Sequence, residues 1–156
     1  MLSFFVAGTP APQGSKSAYA VRRKDGTPTG KINQTEQNKA TKPWRATVTA
    51  EAVKEVRKHG MLVGPVNLNL TFVFDRPAGH LGTGRNAGIL RPSAPEHMAV
   101  RPDADKLVRA VCDSLTDAKV WAEDSRVVSL TAEKLYTSTT PGSQQRQGVY
   151  ISVTPA

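Results

Sequence analysis

The sequence predicts an α+β fold, in which a small mixed β-sheet of about four strands carries two main helices on one face. Three observations lead to this prediction. Some segments alternate apolar and polar residues, as strands do; two segments repeat apolar residues at helical spacing; and the elements follow the order β-α-β, long loop, α-β-β. With 156 residues the chain can bury one hydrophobic core, so we expect a single domain over residues 1–156.

The first half of the chain contains one predicted strand, one long loop and one predicted helix. Leu2 to Ala7 is a short apolar strand, which a pair of following prolines terminates. Residues 13–43 are polar and basic with scattered apolar positions, which predicts a long surface loop. From Trp44 to His59 apolar side chains recur every four residues, which predicts an amphipathic helix.

The second half contains the clearest strand and the second helix. Val66 to Phe74 alternates apolar and polar residues, as expected for a strand with one buried face. Residues 75–102 hold four glycines and four prolines, which predicts a second long basic loop. An apolar stripe predicts a helix over residues 104–115, and Val127 to Tyr136 and Gly148 to Val153 complete the sheet.

Charge indicates the class of partner. The chain has 21 Lys plus Arg against 13 Asp plus Glu, a net charge of +8, and residues 1–60 carry 11 basic and 4 acidic side chains. Such an excess attracts polyanions, either nucleic acid or an anionic membrane surface. No apolar run approaches the roughly 18 to 20 residues of a membrane span, so we expect no membrane insertion.

Cysteine content and the first residues indicate the compartment. Cys112 is the one cysteine, which excludes an internal disulfide and a cysteine-based zinc site and fits a reducing cytoplasm. The initial apolar stretch lacks the basic region of a signal peptide, so we interpret it as a strand. We therefore expect a cytoplasmic protein.

Carboxylates cluster in the C-terminal third of this basic chain. Six acidic residues fall within residues 103–124: Asp103, Asp105, Asp113, Asp117, Glu123 and Asp124. The spacing would allow three carboxylates to converge: Asp103, Asp105 and one from the pair Glu123-Asp124. Hard oxygen ligands without His or Cys select Mg²⁺ or Mn²⁺, and a carboxylate-held Mg²⁺ in a basic protein indicates phosphodiester cleavage.

The alternative for the same residues is structural. Asp103 would cap the second helix, Asp105 would lie in its first turn, where the helix dipole favours a negative charge, and residues 123–125 would form a polar turn. Against this, two aspartates separated by a single residue and lying beside a third carboxylate repel each other unless a cation lies among them.

Several motifs together resemble the RusA family of Holliday junction resolvases. They are Pro10-Ala11-Pro12-Gln13-Gly14-Ser15-Lys16, Arg101-Pro102-Asp103-Ala104-Asp105-Lys106-Leu107, Asp113-Ser114-Leu115-Thr116, Val120-Trp121 and Glu123-Asp124-Ser125-Arg126-Val127. The resemblance implies a homodimeric, Mg²⁺-dependent endodeoxyribonuclease, with Mn²⁺ able to substitute, that resolves four-way DNA junctions by paired symmetric nicks. It also implies a role in DNA recombination and repair in the cytoplasm of a bacterium or a phage-infected host.

By motif position, the family's catalytic, metal-binding aspartates fall on Asp103, Asp105 and Asp124, and its catalytic lysine falls on Arg109. The chain departs from the family in having Lys106 where Asn is common, Arg109 for the lysine, and Glu123 for a frequent Asp. Because an arginine keeps its proton, Arg109 would act by stabilising negative charge in the transition state.

Seven cations are candidate DNA contacts: Lys16, Arg22, Arg23, Lys24, Arg76, Arg101 and Lys106. A basic run such as residues 22–24 can also be no more than a solvated surface. Two other functions stay open: a catalytically weak or silent junction-binding protein of the same fold, and a Mg²⁺-dependent phosphohydrolase acting on nucleotides.

Overall fold

The structure is a computed structural model that describes residues 1–14, 16–36, 38–139 and 144–156, and only the backbone of residues 16, 17 and 34–36. Its strands and helices are β1 (Leu2–Ala7), β2 (Lys16–Arg22), β3 (Pro28–Glu36), α1 (Thr41–His59), β4 (Val66–Phe74), α2 (Ala104–Asp117), β5 (Val127–Tyr136) and β6 (Gly148–Pro155). Within these ranges no helix is both long enough and apolar enough to cross a membrane.

A mixed four-stranded sheet forms the centre of the fold, in the order β1-β6-β4-β5. β6 pairs antiparallel with both β1 and β4, while β5 pairs parallel with β4 and forms one edge. This arrangement confirms the predicted α+β class and the predicted sheet.

One face of the sheet carries the core. Leu68, Leu70 and Phe72 of β4 are buried on this face, and the alternate apolar residues of β6 are buried beside them. Both helices contribute buried residues to the same cluster, including Val48 and Leu107. The other face of β4 presents the polar residues 67, 69 and 71, so the fold has two layers.

The prediction of a loop over residues 13–43 was wrong, because β2 and β3 form an antiparallel ribbon there. A turn joins them, in which the Arg23 amide donates to Thr27 O at 2.8 Å. Exposed side chains occupy both sides of the ribbon, among them Tyr19 and Ile32. None of the described side chains of the ribbon is buried, so it lacks the alternating hydrophobicity from which strands are predicted.

Helix boundaries differ from the prediction by two or three residues. α1 begins at Thr41, three residues before Trp44, because Pro43 is tolerated in a first turn, where its missing N–H would have no helical partner. α2 ends at Asp117. Residues 75–102 contain no strand or α-helix, which agrees with the predicted loop; they include short 3₁₀ turns at Ala78–His80 and Gly84–Asn86.

Both helices begin at the end of the sheet where β1 and β4 finish. We call this end the start edge, because the helices start there; it is distinct from the lateral edge that β5 forms. There Thr41 Oγ1 donates to Pro12 O at 2.7 Å and the Gln13 amide donates to Lys106 O at 2.9 Å, which ties the segment after β1 to both first turns. α2 finishes at the opposite edge, the end edge, where a 3₁₀ turn (Asp124–Arg126) leads into β5. These two edges carry the predicted site residues.

Candidate active site

Asp103 lies at the start edge, in the N-cap position of α2, but its side chain does not cap the helix. Its Oδ2 instead pairs with Lys106 Nζ at 3.1 Å. The hydrogen bond and charge of Lys106, followed by the charges of Arg101 and Lys134, hold the pKa of the Asp103 carboxyl below its ordinary value. The carboxylate is therefore ionised, exposed and surrounded by cations.

Lys134 of β5 holds the segment that leads into Asp103. Its Nζ donates to Val100 O at 2.6 Å and to Pro102 O at 2.7 Å. Sequence reasoning missed this residue, because no motif marks a lysine that bonds backbone carbonyls more than thirty residues away. We assign it a positioning role for the start of α2.

Asp105 and Arg109 stand one helical turn apart on α2, and both are exposed. Neither side chain has a hydrogen bond or ion pair with any described residue, so the two do not form an intrahelical pair in this structure. Both charges are therefore free for an external partner.

Asp124 lies at the end edge and is held by two donors. Its Oδ1 accepts hydrogen bonds from Thr116 Oγ1 at 2.5 Å and from Trp121 Nε1 at 3.1 Å. Trp121 also donates to Thr116 Oγ1 at 2.7 Å, and its side chain is fully buried. The core thus fixes one oxygen of Asp124 and leaves the other without a described partner, while the neighbouring Glu123 is exposed.

The carboxylates do not converge within one chain as the sequence suggested. Eleven residues separate Asp105 from Thr116, about 16 Å along the helix axis. Since Mg²⁺ binds its oxygen ligands at about 2.0–2.1 Å, no ion could bind Asp105 and Asp124 of the same chain. In agreement, no group of three or more His, Cys, Asp or Glu side chains among the described residues is arranged to hold a metal.

The donor chemistry at each end nevertheless fits Mg²⁺. Asp103, Asp105 and Asp124 are exposed and offer carboxylate oxygens, the hard ligands that Mg²⁺ prefers. Cys112 approaches Asp124, but burial first and then the charges of Asp124 and Asp113 raise the pKa of its thiol to about 12. The thiol therefore stays protonated at neutral pH.

Two other acidic residues of the cluster, Asp113 and Asp117, pair with the neighbouring helix. Arg45 of α1 pairs with Asp117 at 2.7 Å and with Asp113 at 3.5 Å across the helix interface. Both carboxylates are therefore used within the fold.

The predicted DNA contacts lie in three places. Arg22, Arg23 and Lys24 are exposed at the tip of the ribbon, and Arg101 and Lys106 flank Asp103. Lys16 begins β2, but its side chain lies outside the described residues.

Arg76 differs from these because the fold uses its guanidinium. It donates to Thr137 O at 2.7 Å and to Pro95 O at 2.6 Å, and it lies over the Tyr136 ring at 5.4 Å. Its contact with DNA stays a prediction.

Comparison with known families assigns the chain. The family described as Endodeoxyribonuclease RusA matches residues 9–145. The chain belongs to the RusA family. No curated protein matches it. The RusA match extends from the segment after β1 to beyond β5, so it spans both ends of α2 and confirms the predicted resemblance.

The members of the RusA family are endodeoxyribonucleases, so DNA cleavage is the activity of the family. Thr116 and Trp121, which lie in the quoted motifs, orient Asp124. The sequence alone predicted no role for Thr116 or Trp121, because neither threonine nor tryptophan is a common metal ligand or catalytic group.

Proposed function

We propose that this chain is a Mg²⁺-dependent endodeoxyribonuclease that resolves four-way DNA junctions by paired symmetric nicks, working as a homodimer in the cytoplasm. The observation that carries the proposal is the exposed pair Asp103 and Asp105 beside Arg101, Lys106 and Arg109, in a member of a DNA-cleaving family. Carboxylates for a cation and cations for a phosphate are what phosphodiester hydrolysis requires.

Three aspartates would hold the metal, and Arg109 would act on the substrate. When bound, Mg²⁺ supplies Lewis-acid polarisation of the scissile phosphate. Arg109 would stabilise the negative charge that develops on the phosphate, since its guanidinium is always charged and has no described partner. Thr116 and Trp121 would keep one oxygen of Asp124 fixed, so that the other is presented to the ion.

The separation of the carboxylates supports a site shared between two copies. Because Asp124 lies about one helix length from Asp105 of its own chain, a common ion requires Asp103 and Asp105 from one copy and Asp124 from the other. A two-fold dimer would then contain two equivalent sites, the number that two matched nicks require.

β5 offers the surface for the second copy. No described residue hydrogen-bonds to its outer backbone edge over residues 127–133, whereas the segment 96–98 bonds to it at 134 and 136. Val128 is 62% exposed and Leu130 is 48% exposed, although Leu130 lies beside the buried Leu68 on the core face. A free edge with exposed apolar residues is a surface that folded proteins normally cover.

Antiparallel pairing of two β5 strands would also join the two halves of the site. A two-fold axis near Ser129 would bring Asp124 of one copy opposite Lys134 of the other. Lys134 bonds Pro102 O, next to Asp103. The same contact would therefore cover the edge and bring together the carboxylates that one chain keeps apart.

Complementation tests the shared site. Asp105→Asn and Asp124→Asn, each inactive alone, are co-expressed and assayed on a labelled four-way junction. In a mixed dimer one site is intact and the other carries both substitutions, so we expect nicking of one strand per junction. A mixture as inactive as its parents would contradict sharing and favour sites built within one chain.

Leu130→Arg tests the interface, because it places a charge on an exposed position without opening the core. We expect monomer mass in analytical ultracentrifugation and loss of cleavage. Val63→Arg is the matched control, since Val63 is also apolar and is 87% exposed but does not belong to β5. An unchanged dimer in Leu130→Arg would assign dimerisation to another surface.

The ribbon would provide DNA affinity. A two-stranded ribbon fits the major groove, and an isolated hairpin gains stability from such a contact. Affinity should fall steeply with salt, with a logarithmic slope of about 0.9 per phosphate contacted. Neutralising Arg22, Arg23 and Lys24 together to Gln should reduce that slope, and an unchanged slope would make the run a solvated surface.

A silent junction-binding protein is the second candidate, favoured by the Lys106 ammonium that pairs with Asp103. Incubation with labelled four-way junction and linear duplex, with Mg²⁺ or with EDTA, separates the two. Cleavage of the junction in Mg²⁺ alone supports the nuclease. Tight binding without cleavage at any metal concentration supports the silent protein.

A further inference from the structure

A cavity of about 630 Å³ opens beside Asp103 at the start edge. Pro10, Pro12, Phe74 and Pro102 supply apolar walls to it. Volumes of this size suit small organic ligands, and an apolar lining suits the faces of a planar ring. The proposed cleavage reaction, which needs only carboxylates and cations, gives no role to such a cavity.

Charged groups border the same cavity. Arg101 and Lys106 line it together with Asp103. A DNA strand whose phosphate lies at Asp103 would therefore pass between these cations, with its nearest bases at the mouth of the cavity.

Asn38 adds a polar group that could recognise a base. It lines the cavity, and its Oδ1 accepts the Ala40 amide at 3.0 Å. Its Nδ2 group bonds no other residue in the described part of the chain. The Asn38 side-chain amide is fixed through its oxygen, and its two N–H groups can donate to an acceptor on a base edge.

We infer that this cavity receives a nucleobase of the strand being cut, turned out of the helical stack beside the scissile phosphate. The inference rests on the proposed function, because that function brings the phosphate to Asp103. The bound group is then a base with its sugar: the apolar walls contact the ring faces, the cations contact the flanking phosphates, and Asn38 contacts a polar edge.

Two consequences follow for substrate choice. Turning out a base is least costly where it is already unpaired or poorly stacked, so the cavity would favour branched DNA over continuous duplex. The Asn38 amide would favour bases with an acceptor on the exposed edge, and cleavage would therefore depend on the base next to the cut.

The direct test uses 2-aminopurine, which fluoresces weakly when stacked, placed in turn at each position flanking the mapped cut. Binding is measured in EDTA, where no cleavage is expected. One position should brighten by about threefold or more with the wild-type protein. Ala40→Leu, which adds bulk at an exposed residue lining the cavity, should abolish that rise.

Ala46→Leu is the matched control, because Ala46 is also exposed on α1 but does not line this cavity. Ala40→Leu should slow single-turnover cleavage by about tenfold while binding in EDTA stays within about twofold. Asn38→Ala should cleave four junctions that differ only in the flanking base at rates within about twofold of each other. Ala46→Leu should match the wild type throughout.

The outcomes separate this inference from the proposed function. Absence of brightening at every flanking position, or equal brightening in Ala40→Leu, overturns the base site even if the chain cleaves junctions. If the Ala40→Leu variant is a monomer while the wild type is a dimer, the base site is overturned as well, because the cavity would then bind a second copy of the chain. Brightening that Ala40→Leu abolishes, in a chain that cuts no DNA, supports base binding and contradicts the nuclease.

Discussion

The two ends of α2 hold their carboxylates in different ways. At the start, the exposed Asp103 carboxylate is paired with the ammonium group of Lys106, and Asp105 has no described partner. At the end, Asp124 accepts hydrogen bonds from Thr116 and from the buried Trp121. The core therefore orients the second carboxylate, whereas the hydrogen bond and charge of an exposed lysine stabilise the first.

This difference indicates how each end would meet a metal ion. A carboxylate oriented by neutral donors keeps its full negative charge and presents its other oxygen in a fixed direction. A carboxylate paired with an ammonium must exchange that cation for the metal. In the proposed dimer each site would combine one oriented and one exchangeable carboxylate, and the predictions below test the two separately.

The largest effect is expected from removing the carboxylates at either end. Asp103→Asn, Asp105→Asn and Asp124→Asn should each reduce cleavage by on the order of a thousandfold, because the metal contributes several kcal/mol of transition-state stabilisation. Binding of a junction without metal should be kept or tightened, because each change removes a negative charge facing phosphate. Single-turnover rates and gel-shift affinities measure the two quantities.

Glu123→Gln is the control for the end edge, since Glu123 is exposed beside Asp124 but has no orienting donor. It should change the rate little, because neighbouring residues point in different directions. Equal loss of binding and cutting in all three aspartate variants would contradict the catalytic assignment and favour a structural role.

Arg109 lies nearer the start of α2 and should have the next largest effect. Arg109→Ala should lose about a hundredfold in single-turnover cleavage, the scale on which one preorganised electrostatic donor acts. Arg109→Lys should retain most activity because it keeps the charge. Near-wild-type rates for Arg109→Ala at saturating Mg²⁺, with normal folding, would remove it from the catalytic set.

Thr116 tests the orientation of Asp124 at the end edge. Thr116→Val removes the hydroxyl that donates to Asp124 Oδ1. Loss of such a supporting hydrogen bond lowers metal affinity or activity by about tenfold or more, so the Mg²⁺ concentration at half-maximal rate should rise. Thr116→Ser should restore it, and Thr47→Val, on exposed α1 surface, should leave it unchanged.

The fold was predictable wherever one face of an element is buried. Alternation identified β4, and helical spacing identified α2, because both elements contribute to one core. The β2–β3 ribbon was not predicted, since none of its described side chains belongs to that core. The exposure of Val128 and Leu130 was not predicted either, because the sequence of a strand does not show whether a helix covers that strand.

The sequence nominates candidate site residues, whose catalytic role stays a prediction, but not their arrangement. The resemblance to the RusA motifs nominated Asp103, Asp105 and Asp124, yet the helix predicted between them already implied a separation, since each residue advances the axis by about 1.5 Å. The roles of Lys134 and Gln13 depend on bonds to distant backbone groups, and no local pattern specifies such bonds.

Substitution of Lys106 should give the smallest effect, and it should lower the Mg²⁺ requirement rather than raise it. Lys106→Asn removes the ammonium that competes for Asp103, so the Mg²⁺ concentration at half-maximal rate should fall by about two- to fivefold, the size that exposed ion pairs support. Lys106→Arg keeps a cation there and serves as the control. Both are measured at saturating DNA, because Lys106 is also a proposed DNA contact.

The same substitution should move the acid limit of cleavage. Lys106 is the largest cause of the lowered pKa of Asp103, so its removal raises that pKa toward the ordinary value. A carboxyl with a higher pKa is protonated earlier as the pH falls, and the acid limb of the rate profile should therefore shift to higher pH. If Lys106→Asn instead raises the Mg²⁺ requirement and leaves the acid limb in place, Lys106 supports the site, and the start of α2 is as preorganised as its end.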